Sequence, residues 1–322
     1  MRALLLLACL CVPLAAAAQP AYPERPVKII VPYSPGTSID IIARTVGQKL
    51  SARWGQPVVV ENRTGASGVV GTALAARASG DGYTLLMQVS GHVINPHVYG
   101  EAANYDPFRD FVPVSLIGWT RMLLVVNADT GIKTLDQLVR EAKARPGAIT
   151  YGTPGVGTVH HLAMEFFQGL AKIELLHVPH SNTGAAVTSL LSNTVNAMFV
   201  PIPVARPQLR NPRLTVLGVG SAQRSSSVPE IPTLAEQGLP GAEVDIWYAM
   251  LAPAGLPDAL QARLNGTVAE ILGEPETRAG LEKQGLEVQP STPAELLRLM
   301  ERESAKWREV VKRAGIKASG TK

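Results

Sequence analysis

Short apolar runs alternate with amphipathic segments along the first third of the chain. Residues 27–33 form an apolar, β-branched run bounded by Pro26 and the turn-forming pair Pro35-Gly36, which predicts a buried strand. Apolar residues then recur at three- and four-residue spacing over 39–50, which predicts a helix that ends at Gly55. Strands over 58–60 and 83–89 and a helix over 69–78 follow. Alternation of this kind predicts a parallel sheet covered by helices.

The same alternation restarts near residue 122. The run 122–126 predicts a buried strand, and 135–144 predicts a helix that Pro146-Gly147 end. The remaining elements predicted in this part are strands over 149–151, 175–178 and 197–200 and helices over 161–170 and 187–191. The restart indicates a second lobe built like the first.

The last part of the chain is mainly helical, with helices predicted over 260–272 and 294–311. Because no strand-rich segment remains for it, we expect this tail to pack on the first sheet. The chain then crosses between the lobes near Leu124 and again near 246–250. We predict an α/β protein with residues 19–123 plus 249–322 in lobe 1 and 124–248 in lobe 2. Two crossings make a hinge, and ligands favour the cleft between hinged lobes.

The first eighteen residues have the pattern of an export signal, which cleavage near Ala18 would remove. Arg2 precedes an apolar run over 3–14, and small residues occupy 15–18. Both cysteines, Cys9 and Cys11, fall inside this segment, so the mature chain would carry no thiol for a disulfide or for catalysis. Lipidation at either cysteine is disfavoured because cleavage there would cut the apolar core. We expect a soluble, monomeric protein in the periplasm.

Composition and motifs exclude several classes of function. The hydrophobic fraction of 46% is enough for packed cores, and the net charge of +4 is spread along helices rather than clustered, so no nucleic acid is expected as a partner. His160 and His161 are adjacent, hence about 100° apart on a helix, and no further ligand motif accompanies them. No metal, cofactor or enzymatic activity is predicted, since the G-x-S-x-G and G-x-G-x-x-G motifs are also missing.

Two strand-to-helix loops echo each other, one in each predicted lobe. The first is Tyr33-Ser34-Pro35-Gly36-Thr37-Ser38, and the second is Gly152-Thr153-Pro154-Gly155-Val156-Gly157-Thr158. Free amides and the positive end of the helix dipole at such loops bind anions, and the hydroxyl groups add donors. Facing each other, the loops could hold a carboxylate without any cation. Alternatively, the glycines only permit tight turns and the hydroxyl groups only cap helices.

The chain resembles the Bug-type extracytoplasmic solute receptors of tripartite tricarboxylate transporters over essentially its whole mature length. The segments that carry the resemblance are Val31-Pro32-Tyr33-Ser34-Pro35-Gly36, Gly55-Gln56-Pro57-Val58-Val59-Val60-Glu61-Asn62-Arg63, Asp81-Gly82-Tyr83-Thr84-Leu85-Leu86, Ile94-Asn95-Pro96, Tyr151-Gly152-Thr153-Pro154-Gly155, the run 228–236 and Leu251-Ala252-Pro253-Ala254-Gly255. The resemblance implies a two-lobed Venus flytrap of the type II kind that captures a small carboxylate and delivers it to permease subunits. A ligand-binding sensor for a membrane kinase and a periplasmic hydrolase are the alternative functions.

The resemblance also implies that the two loops line the pocket, together with Ser90 and His180. Where relatives often carry Asp after Met-Phe, this chain has Val200, which cannot neutralise an ammonium group. We therefore expect a dicarboxylate or an aromatic carboxylate rather than an amino acid. The predicted ligand contacts are Ser34, Gly36, Thr37, Ser38, Ser90, Thr153, Gly155, Gly157, Thr158, His180 and Val200.

Overall fold

A computed structural model describes residues 22–317 of the chain. The predicted export signal over 1–18 therefore lies outside the described residues. The strands are β1 Val27–Val31, β2 Val58–Asn62, β3 Thr84–Val89, β4 Phe111–Thr120, β5 Met122–Asn127, β6 Thr150–Thr153, β7 Leu176–Pro179, β8 Ala197–Pro201, β9 Leu214–Val219, β10 Ile246–Pro253 and β11 Glu287–Val288.

Helices connect most of these strands and complete the chain. Their bounds are α1 Ser38–Trp54, α2 Val69–Ala76, α3 Gly91–Tyr99, α4 Leu135–Ala144, α5 Val159–Ala171, α6 Thr183–Leu191, α7 Ile202–Ala205, α8 Asp258–Gly273, α9 Pro275–Lys283 and α10 Pro293–Ala314. Within residues 22–317, none of them is long and apolar enough to cross a bilayer.

The first sheet has six strands in the order β11-β4-β10-β3-β1-β2. Strand β1 pairs in parallel with β2 and β3, whereas β10 lies between β3 and β4 and is antiparallel to both. The prediction of a parallel sheet is therefore wrong for the half formed by β10, β4 and β11, which pair in antiparallel fashion. Every residue of β10 is buried, so the strand lacks the alternation of buried and exposed positions that is typical of an antiparallel strand.

The second sheet has five strands in the order β7-β6-β8-β5-β9. Strand β6 is parallel to β7 and β8, while β5 is antiparallel to β8 and β9. This sheet is also mixed, because β5 enters directly from the first sheet and runs against its neighbours. Two α/β layers flanked by helices result, as the two restarting series of elements predicted.

Local sequence accounts for the helices that were predicted most closely. In α1, Ile39, Ile42, Val46 and Leu50 are all buried, and Gly55 ends the helix with φ 66° in the left-handed region. Burial of one such aliphatic side chain contributes roughly 1.5–3 kcal/mol. Helix α4 spans the predicted residues because Thr134 and Gln137 form a capping box at its start.

The chain passes between the sheets twice. Arg121 alone separates β4 from β5, and residues 220–245 lead back from β9 to β10. Strand pairing therefore places residues 122–123 in the second sheet and 246–248 in the first, two or three residues from the predicted lobe boundaries. The apolar pattern does not change at the crossings, so the sequence could not locate them more closely.

The side chain of Arg121 ties the two crossings together. Its guanidinium is ion-paired with Asp245, which immediately precedes β10, and its Nη2 lies 2.8 Å from Oε2 of Glu287 on β11. Ser225 donates a hydrogen bond of 2.7 Å to the other oxygen of Glu287. The hinge region is thus held by an ion-pair network that joins both connecting segments.

Helix α10 adds a third, noncovalent link between the two lobes. Its first turns pack on β4 and α3. Its last turns reach the second lobe, where Trp307 is fully buried edge-on against Phe166 of α5 and Arg313 donates a 3.0 Å hydrogen bond to the carbonyl of Glu165. The expectation that the tail packs on the first sheet therefore holds for α8 and the start of α10, but the end of α10 packs on α5.

Candidate functional site

A cleft of about 590 Å³ lies between the two lobes. The first lobe contributes two loops, around residues 32–39 and 64–68, and the second lobe contributes the start of α5 and the start of α6. The polar residues that line it are Tyr33, Ser34, Thr37, Ser38, Thr64, Ser67, Asn95, Thr158, His160, Ser181, Asn182, Thr183 and Tyr248. Helix N-termini from both lobes therefore open onto one space.

The first loop leaves the N-terminus of α1 without a side-chain cap. Thr37 occupies the capping position, but its hydroxyl donates a 2.7 Å hydrogen bond to the carbonyl of Ser34 instead. The first helical hydrogen bond runs from the amide of Ile41 to Thr37. The amides of Ser38 and Ile39 precede that bond and lie on the cleft, where they are placed to bind an anion.

Asp40 fixes the shape of this loop from beneath. Its carboxylate is buried and accepts hydrogen bonds from the Gly36 amide at 2.9 Å and from the Asn62 side chain at 2.8 Å, and Arg44 pairs with it at 3.0 Å. Burial raises the pKa of Asp40, but the hydrogen bonds from Arg44, Gly36 and Asn62 outweigh it, so the pKa lies below its ordinary value. The Gly36 amide, which we expected to face the ligand, donates to Asp40 instead.

We expect Asp40→Asn to unfold at lower denaturant concentration and to bind ligand more weakly. The amide NH₂ that replaces one carboxylate oxygen faces another donor, either the Gly36 amide or the Asn62 side chain. Leaving such a buried donor unsatisfied costs about 1–3 kcal/mol. Urea unfolding followed by circular dichroism measures the loss. Thr45→Ala is the control, because the half-buried Thr45 bonds only the carbonyl of Ile41 within α1. Equal midpoints for the two variants would contradict the role given to Asp40.

The second loop is held mainly by its own side chains. Thr158 caps α5 by accepting a hydrogen bond from the amide of His161, and its hydroxyl donates to the carbonyl of Gly155 at 2.8 Å. The amide of Gly157 donates to Nδ1 of His161 at 3.1 Å. The amides of Val159 and His160 are left at the start of α5, on the cleft.

A stack of three rings supports this loop from below. The rings of His161 and His177 lie 3.9 Å apart and nearly parallel, and Tyr151 stacks on His177 at 4.9 Å. Thr153, predicted as a ligand contact, is buried with its hydroxyl 2.6 Å from Nε2 of His177. Burial lowers the pKa of His161 to about 3 and that of His177 to about 4, so both rings are neutral near neutral pH.

Two further segments on the cleft were not predicted as site residues. Helix α6 begins on it, where the Asn182 side chain caps the helix by accepting from the amide of Ala185 at 2.9 Å. The loop over 65–68 places four consecutive residues at positive φ, including the non-glycine residues Ala66 and Ser67. Such strain is typical of functional loops. The Gly65-Ala66-Ser67-Gly68 run between β2 and α2 was the available sequence signal.

The strained loop is clamped by side chains of the first lobe. The carbonyl of Ser67 accepts hydrogen bonds from the Tyr33 hydroxyl at 3.2 Å and from the Asn95 amide at 3.0 Å. Tyr99 donates to the hydroxyl of Ser67 at 3.3 Å. Gly68, with φ 94°, lets the loop approach Tyr33, because a Cβ there would lie 3.0 Å from the tyrosine oxygen. These contacts hold the strained backbone against the cleft.

Six of the eleven predicted contact residues lie on the cleft and five do not. The six are Ser34, Gly36, Thr37, Ser38, Gly157 and Thr158. Ser90 directly follows the interior strand β3, where it is buried and accepts a hydrogen bond from the amide of Trp247. Val200 lies within the buried strand β8 and packs in the core of the second lobe. Gly155 and Thr153 shape the loop beneath the cleft, and Nε2 of His180 lies 2.8 Å from the Ser189 hydroxyl. The role of each residue in binding stays a prediction.

The cleft carries no formal charge of its own. Among the described residues that line it, none is Lys, Arg, Asp or Glu. Burial lowers the pKa of His160 to about 4, so its ring is neutral as well. No group of three residues that could hold a metal ion occurs within 22–317. Hydrogen-bond donors and helix dipoles thus set the electrostatics of the site.

Comparison with known proteins identifies the family. Residues 42–316 match the family described as "Tripartite tricarboxylate transporter family receptor". A protein from the tcbD-tcbE intergenic region of Pseudomonas sp. strain P51 is 36% identical over 292 residues, 90% of this chain and 87% of that protein. Protein BugT of Bordetella pertussis is 34% identical over 302 residues, covering 92% of this chain and 91% of BugT.

Solved structures agree in fold over 90–92% of this chain. Rpa4515 of R. palustris, solved with adipate, has a TM-score of 0.82 at 31% identity and covers 92% of this chain and 100% of that one. MatC from Rhodopseudomonas palustris, solved with malate, has a TM-score of 0.78 at 30% identity and covers 90% of this chain and 100% of MatC. The periplasmic binding protein BugD has a TM-score of 0.79 at 30% identity, covering 92% and 100%. The chain therefore belongs to the tripartite tricarboxylate transporter receptor family, a family of two-lobed solute-binding receptors and not of enzymes.

Proposed function

We propose that this protein is a periplasmic receptor that captures a small organic carboxylate without a positive charge and delivers it to the permease of a tripartite tricarboxylate transporter. One observation carries the proposal. The helices α1, α5 and α6 all begin on a cleft whose lining has hydroxyl and amide donors but no formal charge. Such a site favours an anion and offers nothing to neutralise an ammonium group.

A ligand with two separated carboxylates suits this arrangement best. Free amides face the cleft from the start of α1 in one lobe and from the starts of α5 and α6 in the other, so that each lobe can hold one end of the ligand. Each hydrogen bond to a carboxylate contributes roughly 1.5–3 kcal/mol once water is excluded. The two relatives solved with adipate and malate support a dicarboxylate for this chain as well.

The proposal is tested by ligand binding to the purified mature protein. We expect at least one aliphatic dicarboxylate to raise the melting temperature, because a ligand that binds only the folded state stabilises it. Matching monocarboxylates, aromatic acids and amino acids complete the panel. A protein that responds to amino acids and to no other acid would contradict the proposal, as would catalytic turnover of an ester or amide.

We expect Ser38→Ala to weaken binding of the best ligand by roughly 1–3 kcal/mol, the contribution of one donor to a charged group. Ser38 opens α1 on the cleft, whereas Ser192 lies exposed beyond the end of α6. Isothermal titration calorimetry of Ser38→Ala and of the control Ser192→Ala measures the difference. Equal affinities would remove Ser38 from the site.

Delivery to a permease needs a separate measurement. We expect uptake of the radiolabelled ligand by cells that carry the permease subunits of a tripartite tricarboxylate transporter only when this receptor is also present. Binding without uptake, together with activation of a membrane kinase by the liganded protein, would favour the sensor instead.

A further inference from the structure

One side chain on the cleft has a polar atom that the folded protein leaves unsatisfied. His160 lines the cleft from the first turn of α5, and its Nε2 is enclosed by protein without a hydrogen-bond partner. Buried polar atoms without a partner are rare in folded proteins, and each one calls for an explanation. The neighbouring His161, by contrast, has its Nδ1 engaged by the amide of Gly157.

The two ring nitrogens of His160 have different surroundings. Nε2 is enclosed, whereas Nδ1 is neither enclosed nor hydrogen-bonded to any residue within 22–317. A neutral imidazole carries its proton on one nitrogen only, and a buried N–H without an acceptor costs more than a free lone pair. The proton therefore resides on Nδ1. The ring presents a neutral donor next to the free amides that open α5.

We propose that His160 determines ligand specificity by donating a hydrogen bond from Nδ1 to the carboxylate that the second lobe holds. This inference rests on the proposed function and adds a residue and a direction to it. The imidazole supplies a donor without a charge, in keeping with the rest of the cleft. Burial lowers the pKa of His160 to about 4, so the ring is neutral. The positive end of α5 also disfavours a charge on it.

Three substitutions separate the role of Nδ1 from a structural role of the ring. Asn places its amide nitrogen near the position of Nδ1, Gln places it near the position of Nε2, and Leu has neither. Because Nε2 has no partner to lose, we expect all three variants to remain folded. His97→Gln, on α3 outside the cleft, is the matched control.

Titration calorimetry with succinate and adipate, and with butyrate and hexanoate as monocarboxylates, tests the inference. We expect His160→Leu and His160→Gln to bind the preferred dicarboxylate roughly 10–100-fold more weakly, while His160→Asn stays within a few-fold of the wild type. The monocarboxylates, held by the first lobe, should change far less in all variants.

Each other outcome has a definite meaning. Unchanged dicarboxylate affinity in His160→Leu, or equal losses for both classes of acid, would overturn the inference and leave the proposed function standing. Rescue by Gln but not by Asn would overturn the assignment to Nδ1. A wild-type protein that binds none of these four acids would overturn the inference, and one that binds no carboxylate of the wider panel would overturn the proposed function as well.

Discussion

Replacement of Gly157 by alanine is expected to weaken ligand binding about 10–100-fold by holding the two lobes apart. Gly157 belongs to the second loop, yet a Cβ on it would lie only 2.7 Å from Cγ1 of Val98, on α3 of the first lobe. Carbon atoms do not approach so closely, and both residues lie in well-packed surroundings. The lobes must therefore separate by a fraction of an ångström or more, which lengthens every hydrogen bond to a ligand held between them.

Two further variants separate this effect from backbone strain. Gly157 has φ 76°, and Gly147, in the same lobe, has φ 72° with no atom within 4 Å of the place that a Cβ would occupy. Gly147→Ala should thus lose a similar stability, about 1–2 kcal/mol, and bind normally. Val98→Ala removes Cγ1, so we expect Gly157→Ala/Val98→Ala to recover most of the affinity. Titration calorimetry of the single and double variants completes the double-mutant cycle. If Val98→Ala fails to restore binding to Gly157→Ala, the contact between the new Cβ and Val98 is not the cause of the loss.

Much of the fold follows from local pattern, and the parts that do not are those buried on every side. Helix α4 could be predicted because it has one buried and one exposed face. Strand β1 could be predicted because turn-forming residues bound its apolar run. Strand β10 has eight buried residues in a row and joins the first sheet from the second lobe. Its antiparallel place depends on pairing with segments more than a hundred residues away, and periodicity carries no information on such pairing.

The site was predictable where a loop opens a helix, and less so where tertiary packing decides which atoms are free. The loop at Ser38 lies on the cleft, but the amide of its neighbour Gly36 is taken by Asp40. Thr153 and Thr158 are similar in sequence context, yet one is buried against His177 and the other lies on the cleft. His160, which the sequence analysis considered only as a metal ligand, lies on the cleft because α5 turns its first residues toward the opposite lobe.

The free energy of unfolding is expected to fall progressively between pH 6.5 and pH 4.5 because of buried histidines. Burial lowers the pKa of His92, His160 and His177 to about 4 and that of His161 to about 3. In the unfolded chain each titrates near 6.5, so the unfolded state takes up protons first as the pH falls. With respect to these four rings, the free energy of unfolding is therefore highest above pH 6.5 and decreases progressively below it. For the fully buried His92 alone the loss is about 2 kcal/mol at pH 5.

One carboxylate acts in the opposite direction without reversing the result. Burial raises the pKa of Asp245 to about 7, so its ionised carboxylate destabilises the folded state above pH 7. This destabilisation decreases as the pH falls below 7, and the decrease compensates for the effect of about one of the four histidines. Urea unfolding at intervals from pH 7.5 to pH 5 measures the slope of the unfolding free energy, which gives the number of protons taken up. His92→Phe, which keeps the packing against Tyr105 and Phe111, should lower that number by one. A flat profile over this range, or the same slope in His92→Phe, would show that these rings are protonated in the folded protein and that burial does not control their titration.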